Sequence, residues 1–120
     1  MTTVLVIDDS PSEMAKFRDM LARHNFKVLE ATNGEQGCQI AADRLPDVIL
    51  MDVVMPEMNG FQATRKITRG KTTAHIPVIM ISTKNQETDR VWGKRQGAKE
   101  YMAKPVDEGE LVNIIHKVMG

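Results

Sequence analysis

Apolar residues follow two alternating patterns along this chain. Short runs rich in β-branched residues predict strands at residues 3–7, 26–31, 47–51, 77–82 and 100–103. Segments with apolar residues three and four positions apart predict helices at residues 10–24, 33–45, 60–68, 86–96 and 107–119. Five strand-helix alternations predict a parallel sheet with helices on its faces. The unbroken apolarity of the first, third and fourth strands favours burial of both faces of the sheet.

Capping patterns support the helix starts. Ser10, Pro11 and Glu13 form a capping box with proline at the first helical position, and Asp107 with Glu110 repeats the box at the last helix. The apolar stripe of the first helix is predicted to consist of Met14, Phe17, Leu21 and His24.

Composition narrows the class of protein. The chain has 120 residues, with 42% hydrophobic and 27% charged residues, which is typical of one globular domain. Sixteen basic and sixteen acidic residues cancel, which argues against a general nucleic-acid or membrane binder. The apolar runs are far shorter than a membrane span, and the single cysteine, Cys38, excludes an internal disulfide. We therefore expect a cytoplasmic, monomeric domain over residues 1–120, with no output domain.

The chemistry of the chain is predicted to lie at one edge of the sheet. In parallel α/β sheets ligands bind beyond the carboxyl ends of the strands. The residues at those ends are Asp8, Asp9, Asp52, Ser82 and Lys104. Singly these residues are ordinary caps, turn residues or surface charges, so only their convergence from four strands indicates a site.

Three carboxylates in one place repel one another, and one lysine does not neutralise them. A divalent ion does, and Mg²⁺ takes one or two carboxylates while keeping waters that phosphate oxygens replace. The sequence therefore predicts a Mg²⁺ site in which Asp52 is a nucleophile for a phosphoryl group. Lys104 and Ser82 are predicted to contact the phosphoryl oxygens.

Four motifs resemble those of CheY-like response-regulator receiver domains. They are VIDDS (6–10), LMDVVMPEMNG (50–60), PVIMIS (77–82) and KP (104–105). The resemblance covers the whole chain and implies a flavodoxin-like (βα)5 three-layer sandwich, with a parallel five-stranded sheet in order 2-1-3-4-5.

The resemblance also implies roles for the acids. Asp52 is the phosphoacceptor, and a histidine kinase or its phosphotransfer domain is the donor. Mg²⁺, or Mn²⁺ in its place, is bound by Asp52, Asp9, the Val54 backbone carbonyl and Asp8, the last directly or through water. The protein catalyses its own phosphorylation and dephosphorylation and is otherwise not an enzyme.

The switch is implied by the same resemblance. Ser82 and Lys104 match the switch hydroxyl and the lysine of the family, and the Lys104–Pro105 peptide bond is expected to be cis. Tyr101 is expected to swing inward on phosphorylation, which remodels the face formed by the fourth helix, fifth strand and fifth helix. An effector protein is expected to bind that face.

The segment STKNQETDRVWGKRQGA (82–98) resembles PilH-type regulators, which implies a role in type IV pilus twitching motility or chemotaxis-like signalling. Two alternatives stay open. One is a phosphate sink for a sister regulator. The other is a Mg²⁺-dependent phosphohydrolase with an aspartyl nucleophile, which is disfavoured because Val54 stands where such enzymes usually have an acid.

Four points remain open in the sequence. Val54 and Thr83 depart from the usual family residues and are predicted to influence dephosphorylation. Trp92 is either a partner anchor or a core residue. The basic residues around the fourth helix are either a solvated face or a docking surface for an acidic partner: Lys84, Arg90, Lys94, Arg95 and Lys99.

Overall fold

The computed structural model describes residues 1–120, in which five strands alternate with five helices. The strands are β1 (Thr3–Ile7), β2 (Lys27–Ala31), β3 (Val48–Asp52), β4 (Val78–Ser82) and β5 (Glu100–Ala103). The helices are α1 (Pro11–Ala22), α2 (Gly34–Arg44), α3 (Gly60–Thr68), α4 (Glu87–Arg95) and α5 (Glu108–Met119).

All strand pairs are parallel, and the sheet has the order β2-β1-β3-β4-β5. The predicted α/β flavodoxin-like fold is therefore confirmed. In the register, Ile7 of β1 pairs with Met51 of β3, and Asp52 pairs with Ile81 of β4. This register brings the carboxyl ends of β1, β3 and β4 to the same edge.

Two apolar cores lie on opposite faces of the sheet. Successive side chains of β1 alternate between them, because strand side chains point to opposite faces. Leu5 and Ile7 belong to the core under α2 and α3, whereas Val4 and Val6 belong to the core under α1 and α5. Every residue of β3 and β4 is buried, which explains why these two segments read as unbroken apolar runs.

Side-chain caps fix four of the helix starts. Ser10, Asn33, Asn59 and Asp107 each accept a hydrogen bond from the backbone amide three residues later. Each cap pairs a backbone amide that has no partner within its helix. The strand-to-helix loops at the edge that holds the acids are therefore held at their helical ends.

The structure corrects three details of the predictions. The α1 helix ends at Ala22, so His24 does not belong to its apolar stripe; His24 is exposed and its Nε2 lies 2.8 Å from a carboxylate oxygen of Glu108. Asp52 is the last residue of β3 rather than the residue after it. The alternative that Trp92 packs in the core is wrong, since its side chain is 47% exposed.

None of the helices has both the length and the apolarity that crossing a bilayer requires.

Candidate functional site

Three carboxylates converge at the carboxyl edge of the sheet. A carboxylate oxygen from each of Asp8, Asp9 and Asp52 lies within 4.8 Å of the others. Asp8 follows β1 and is 2% exposed, Asp52 ends β3 and is 9% exposed, and Asp9 is exposed. The convergence predicted from the strand ends is thus present for all three acids. Two of them are almost removed from water.

Lys104, which follows β5, reaches into this cluster. Its Nζ lies 2.9 Å from Oδ2 of Asp8, 3.3 Å from Oδ1 of Asp52 and 3.6 Å from Oε1 of Glu13. Glu13 is a residue that the sequence interpretation used only as part of a helix cap. Its position in the first turn of α1, four residues after Asp9, was the signal that it belongs near the site.

The electrostatics of the cluster are unfavourable for an isolated Asp52 carboxylate. Burial, reinforced by the charge of Asp8, raises the pKa of Asp52 to about 6, although Lys104 opposes this rise. Burial lowers the pKa of Lys104, but the hydrogen bond to Asp8 and the charge of Asp52 outweigh it, so the net shift of this pKa is upward. The single ammonium group of Lys104 therefore does not neutralise all of the negative charge of the three carboxylates. A cluster of carboxylate oxygens with net negative charge fits a hard divalent cation.

The backbone on both sides of the cluster is held closely. Oδ1 of Asp8 accepts a hydrogen bond from the Ser10 amide at 2.9 Å. The Gly60 amide donates to the Val53 carbonyl at 2.8 Å, which returns the loop after β3 to the end of that strand. A Cβ atom on Gly60 would lie only 2.0 Å from the Asp52 carbonyl oxygen. Only glycine fits at this close approach.

Ser82 and Tyr101 form a second group beside the acids. The Ser82 hydroxyl is fully buried and accepts a hydrogen bond from the Lys84 amide at 3.0 Å, so its observed partner is the backbone rather than the acids. The Tyr101 hydroxyl donates to the Lys84 carbonyl, and its ring is buried. Burial and the nearby Asp89 charge raise the pKa of Tyr101. Lys84 thus links the serine to the tyrosine.

The remaining predicted residues border the same edge. Val54 is 60% exposed two residues after Asp52, and the Lys104–Pro105 peptide bond is cis. Thr83 is exposed and lines a cavity of about 280 Å³ beside Lys104. The other residues that line this cavity are Glu13, Lys16, Phe17, Met20, Pro105 and Val106.

Known proteins resemble this chain in sequence and in architecture. The family model of the response regulator receiver domain matches residues 4–116. Protein PilH of Pseudomonas aeruginosa is 54% identical over 119 residues, which cover 99% of this chain and 98% of that protein. Response regulator PleD of Caulobacter vibrioides is 37% identical over 105 residues, which cover 88% of this chain but 23% of PleD.

Solved structures with the same fold support the same family. Chemotaxis protein CheY4 of Vibrio cholerae superimposes with a TM-score of 0.92 at 28% identity over 98% of each chain. The receiver domain of sensor histidine kinase PA1611 of Pseudomonas aeruginosa, solved with a magnesium ion coordinated in its active-site cleft, gives a TM-score of 0.92 at 28% identity, covering 99% of this chain and 98% of that one. The predicted resemblance is therefore confirmed, and this chain belongs to the response regulator receiver domain family.

Proposed function

We propose that this protein is a response regulator that accepts a phosphoryl group on Asp52 from a histidine kinase or its phosphotransfer domain. The observation that carries the proposal is the position of the Asp52 carboxylate at the end of β3, beside the acids that follow β1 and within 3.3 Å of the ammonium group of Lys104. The 54% identity to PilH supports a role in type IV pilus twitching motility or related chemotaxis-like signalling.

The reaction requires little covalent chemistry from the protein. An Asp52 carboxylate oxygen attacks the phosphorus of a phosphohistidine, the P–N bond breaks, and the imidazole nitrogen leaves with the electron pair. Lys104 neutralises charge on the transferred group, and the Ser82 hydroxyl donates a hydrogen bond to one of its oxygens. Hydrolysis of the resulting acyl phosphate returns Asp52 to its carboxylate form.

The acids of the site are proposed to hold the metal. Asp8, Asp9, Asp52 and the backbone carbonyl of Val54 are the proposed ligands for Mg²⁺, with Mn²⁺ as a substitute. A bound divalent ion supplies positive charge that offsets the crowded carboxylates and the phosphoryl oxygens. The raised pKa of Asp52 supports this assignment, because Lys104 alone does not balance the acids.

The switch is proposed to act through the group of Ser82, Lys84 and Tyr101. The Tyr101 ring, which was expected to swing inward on phosphorylation, is already buried in this structure, so its hydrogen bond to Lys84 is the contact that phosphorylation changes. If the Ser82 hydroxyl turns to the phosphoryl group, it loses the hydrogen bond that it accepts from the Lys84 amide. The Lys84 carbonyl accepts the hydrogen bond of the Tyr101 hydroxyl. Movement of the backbone at Lys84 therefore changes the position of the tyrosine side chain. The change then reaches the face formed by α4, β5 and α5, where an effector protein is proposed to bind.

The donor is proposed to approach over the cavity beside Lys104. Apolar side chains of Phe17, Met20 and Val106 line that cavity next to the charged groups of the site. An apolar border around a polar centre suits a docked protein, since it excludes water while the phosphoryl group moves.

The test is incubation with Mg²⁺ and a small phosphodonor, followed by intact mass spectrometry. The wild type is expected to gain one phosphoryl group, whereas Asp52→Asn gains none. Asp43→Asn, which removes an exposed carboxylate on α2, is the matched control and is expected to behave as the wild type. Equal labelling of Asp52→Asn and wild type contradicts the assignment. Turnover of a generic phosphate ester that depends on Asp52 favours the phosphohydrolase instead.

A further inference from the structure

Charge is distributed unevenly along this neutral chain. Nine of its sixteen basic residues, but only two of its sixteen acids, lie between Arg65 and Lys99. This segment runs from α3 to the turn before β5 and carries a net charge of +7. The remaining residues therefore carry a net charge of −7.

Most of the cations in this segment have no acidic partner. Only Lys84 lies within 4.0 Å of a carboxylate, that of Asp89 at 3.0 Å. Arg90 donates instead to the Tyr101 carbonyl. The other seven are exposed and unpaired: Arg65, Lys66, Arg69, Lys71, Lys94, Arg95 and Lys99. Elsewhere in the chain, five of the seven basic residues form ion pairs: Lys16, Arg18, Arg23, Lys104 and Lys117.

The carboxyl-terminal parts of α3 and α4 meet side by side. The Thr68 hydroxyl of α3 donates to the Gln96 carbonyl at the end of α4, at 2.7 Å. Residues three and four apart lie on one face of a helix. Arg65 precedes Thr68 by three positions and Trp92 precedes Gln96 by four, so both lie on the sides of the helices that meet here. Arg69, the residue that caps α3, follows Arg65 by four positions, and Arg95 follows Trp92 by three. We name this surface the α3–α4 face, and its members, all exposed, are Arg65, Arg69, Trp92 and Arg95.

The α3–α4 face is not the face on which the proposed switch acts. Arg90, Val91 and Lys94 of α4 line a cavity together with Glu100 and Tyr101 of β5, on the opposite side of the helix. Trp92 is adjacent in sequence but is rotated by about 100° from Val91 around the helix axis. The two sides of α4 therefore present separate surfaces.

We propose that the α3–α4 face binds an acidic segment of a partner protein, with Trp92 as the apolar anchor and the three arginines as the charged border. Cations near a helix carboxyl terminus complement the helix dipole, and this accounts for Arg65 and Arg95 one at a time. It does not account for an indole left 47% exposed on a face whose other members are unpaired arginines. Tryptophan and arginine are the residue types that contribute most to protein–protein binding energy.

The occupant is a protein rather than a nucleic acid or a membrane. A nucleic acid extends well beyond a patch on two short helices and meets the part of the chain that carries −7. An anionic bilayer meets the same repulsion, and a single exposed tryptophan offers little apolar area for insertion. A short acidic protein segment contacts only the complementary patch.

The test uses the fluorescence of Trp92, which is the only tryptophan in the chain. The full chain is titrated with a short amphipathic peptide of glutamate and leucine, at low and high salt, and separately with a single-stranded oligonucleotide and with vesicles of phosphatidylglycerol. No phosphodonor or Mg²⁺ is added, so the outcome is independent of the proposed phosphorylation. The double variant Arg65→Ala/Arg95→Ala is compared with Lys27→Ala/Arg44→Ala, which removes two exposed, unpaired cations elsewhere.

The expected result is a saturable blue shift of the Trp92 emission with the peptide, weakened by salt. The Arg65→Ala/Arg95→Ala pair is expected to weaken binding about tenfold, while the control pair leaves it unchanged. Circular dichroism checks that both double variants are folded. The proposal is overturned by an absent shift, by equal weakening in the two double variants, or by an equal shift with the oligonucleotide or the vesicles.

Discussion

The guanidinium group of Arg90 lies over the ring of Tyr101, with its central carbon 5.5 Å from the ring centroid. The same group donates a hydrogen bond to the Tyr101 carbonyl at 3.0 Å. The Tyr101 hydroxyl is bound to the Lys84 carbonyl. One residue of α4 and one carbonyl of the loop before it thus hold the tyrosine in its buried position.

Removal of Arg90 is expected to release this side chain. The hydrogen bond from Arg90 goes to the backbone carbonyl of Tyr101 and does not depend on the rotamer, so only the cation–π contact holds the ring. Such a contact contributes about 0.5–1 kcal/mol at an exposed site. Arg90→Ala is therefore expected to increase the population of outward Tyr101 rotamers by about two- to fivefold. Nuclear magnetic resonance of the single tyrosine ring measures this population.

Lys94→Ala is the control for this variant, since it removes a charge from the same helix without a hydrogen bond to Tyr101. Its rotamer population is expected to match that of the wild type. Unchanged rotamers in Arg90→Ala contradict the assigned role of the guanidinium group.

Neutralising Asp52 is expected to stabilise the metal-free protein at neutral pH. The pKa of Asp52 is about 6 in the fold against 3.8 in the unfolded chain, so the folded state binds the proton more tightly. Stability therefore falls as the pH rises between these two values, and the whole penalty is present above the higher one. In chelator above about pH 7, Asp52→Asn is expected to raise the free energy of unfolding by about 3 kcal/mol.

Urea unfolding across pH measures this effect. Below about pH 4 the gain is expected to vanish, because the carboxyl group is then protonated in both states. Asp43→Asn, at an exposed position of α2, is expected to show no such pH-dependent gain. A destabilised Asp52→Asn protein at neutral pH contradicts the electrostatic account of the site.

A methyl group at Gly60 is expected to displace the end of β3. The added Cβ meets the Asp52 carbonyl oxygen at 2.0 Å, and this contact is with backbone, which moves only at a cost. Gly60→Ala is expected to lower stability by about 1–3 kcal/mol and to weaken Mg²⁺ binding, because it shifts the Asp52 backbone. Thermal unfolding and calorimetric titration with Mg²⁺ measure the two effects.

Gly109 offers a matched substitution inside α5. Its added Cβ meets only an oxygen of the Asp107 side chain at 3.4 Å. Gly109→Ala is therefore expected to stabilise the protein by about 0.5–1 kcal/mol through helix propensity and to leave Mg²⁺ binding unchanged. Similar losses in both variants show that close approach to Asp52 is not the reason.

The lifetime of the proposed phosphoryl group is expected to depend on Val54 and Thr83. Both side chains are exposed near Asp52 or Lys104, where a hydrolytic water approaches. Val54→Asn supplies a polar group that orients this water, and Thr83→Ala removes a branched side chain from its path. Both variants are expected to shorten the lifetime several-fold, measured as loss of the phosphoryl mass with time. Val91→Asn, an exposed valine on α4, serves as the control.

Sequence patterns were sufficient for those features that depend on local chain chemistry. The strands follow from apolar runs, and the helix starts follow from caps such as Ser10 and Asp107. The strand ends then located Asp8 and Asp52, because a parallel sheet aligns its carboxyl ends by topology alone.

Features that depend on side-chain reach across the fold were not predictable in the same way. Glu13 approaches Lys104 over a separation of ninety-one positions, and Arg90 binds a carbonyl in the next strand. The spacing of Trp92 on its helix fits either a buried or an exposed position at the edge of the apolar stripe. In the fold, α4 packs closely against the Tyr101 ring of β5 at Gly93, and the indole of Trp92 beside it is exposed to solvent.

The uneven distribution of charge has a consequence for how this protein meets other molecules. A neutral chain whose α3–α4 region carries +7 against −7 elsewhere has a substantial electric dipole moment. In the electric field of a charged surface such a molecule rotates before contact. It therefore meets the surface in a preferred orientation, although its zero net charge gives no net attraction. The alignment fades within about 10 Å at an ionic strength of about 0.1 M. Association rates are therefore expected to change with salt even at the isoelectric point, near pH 6.8.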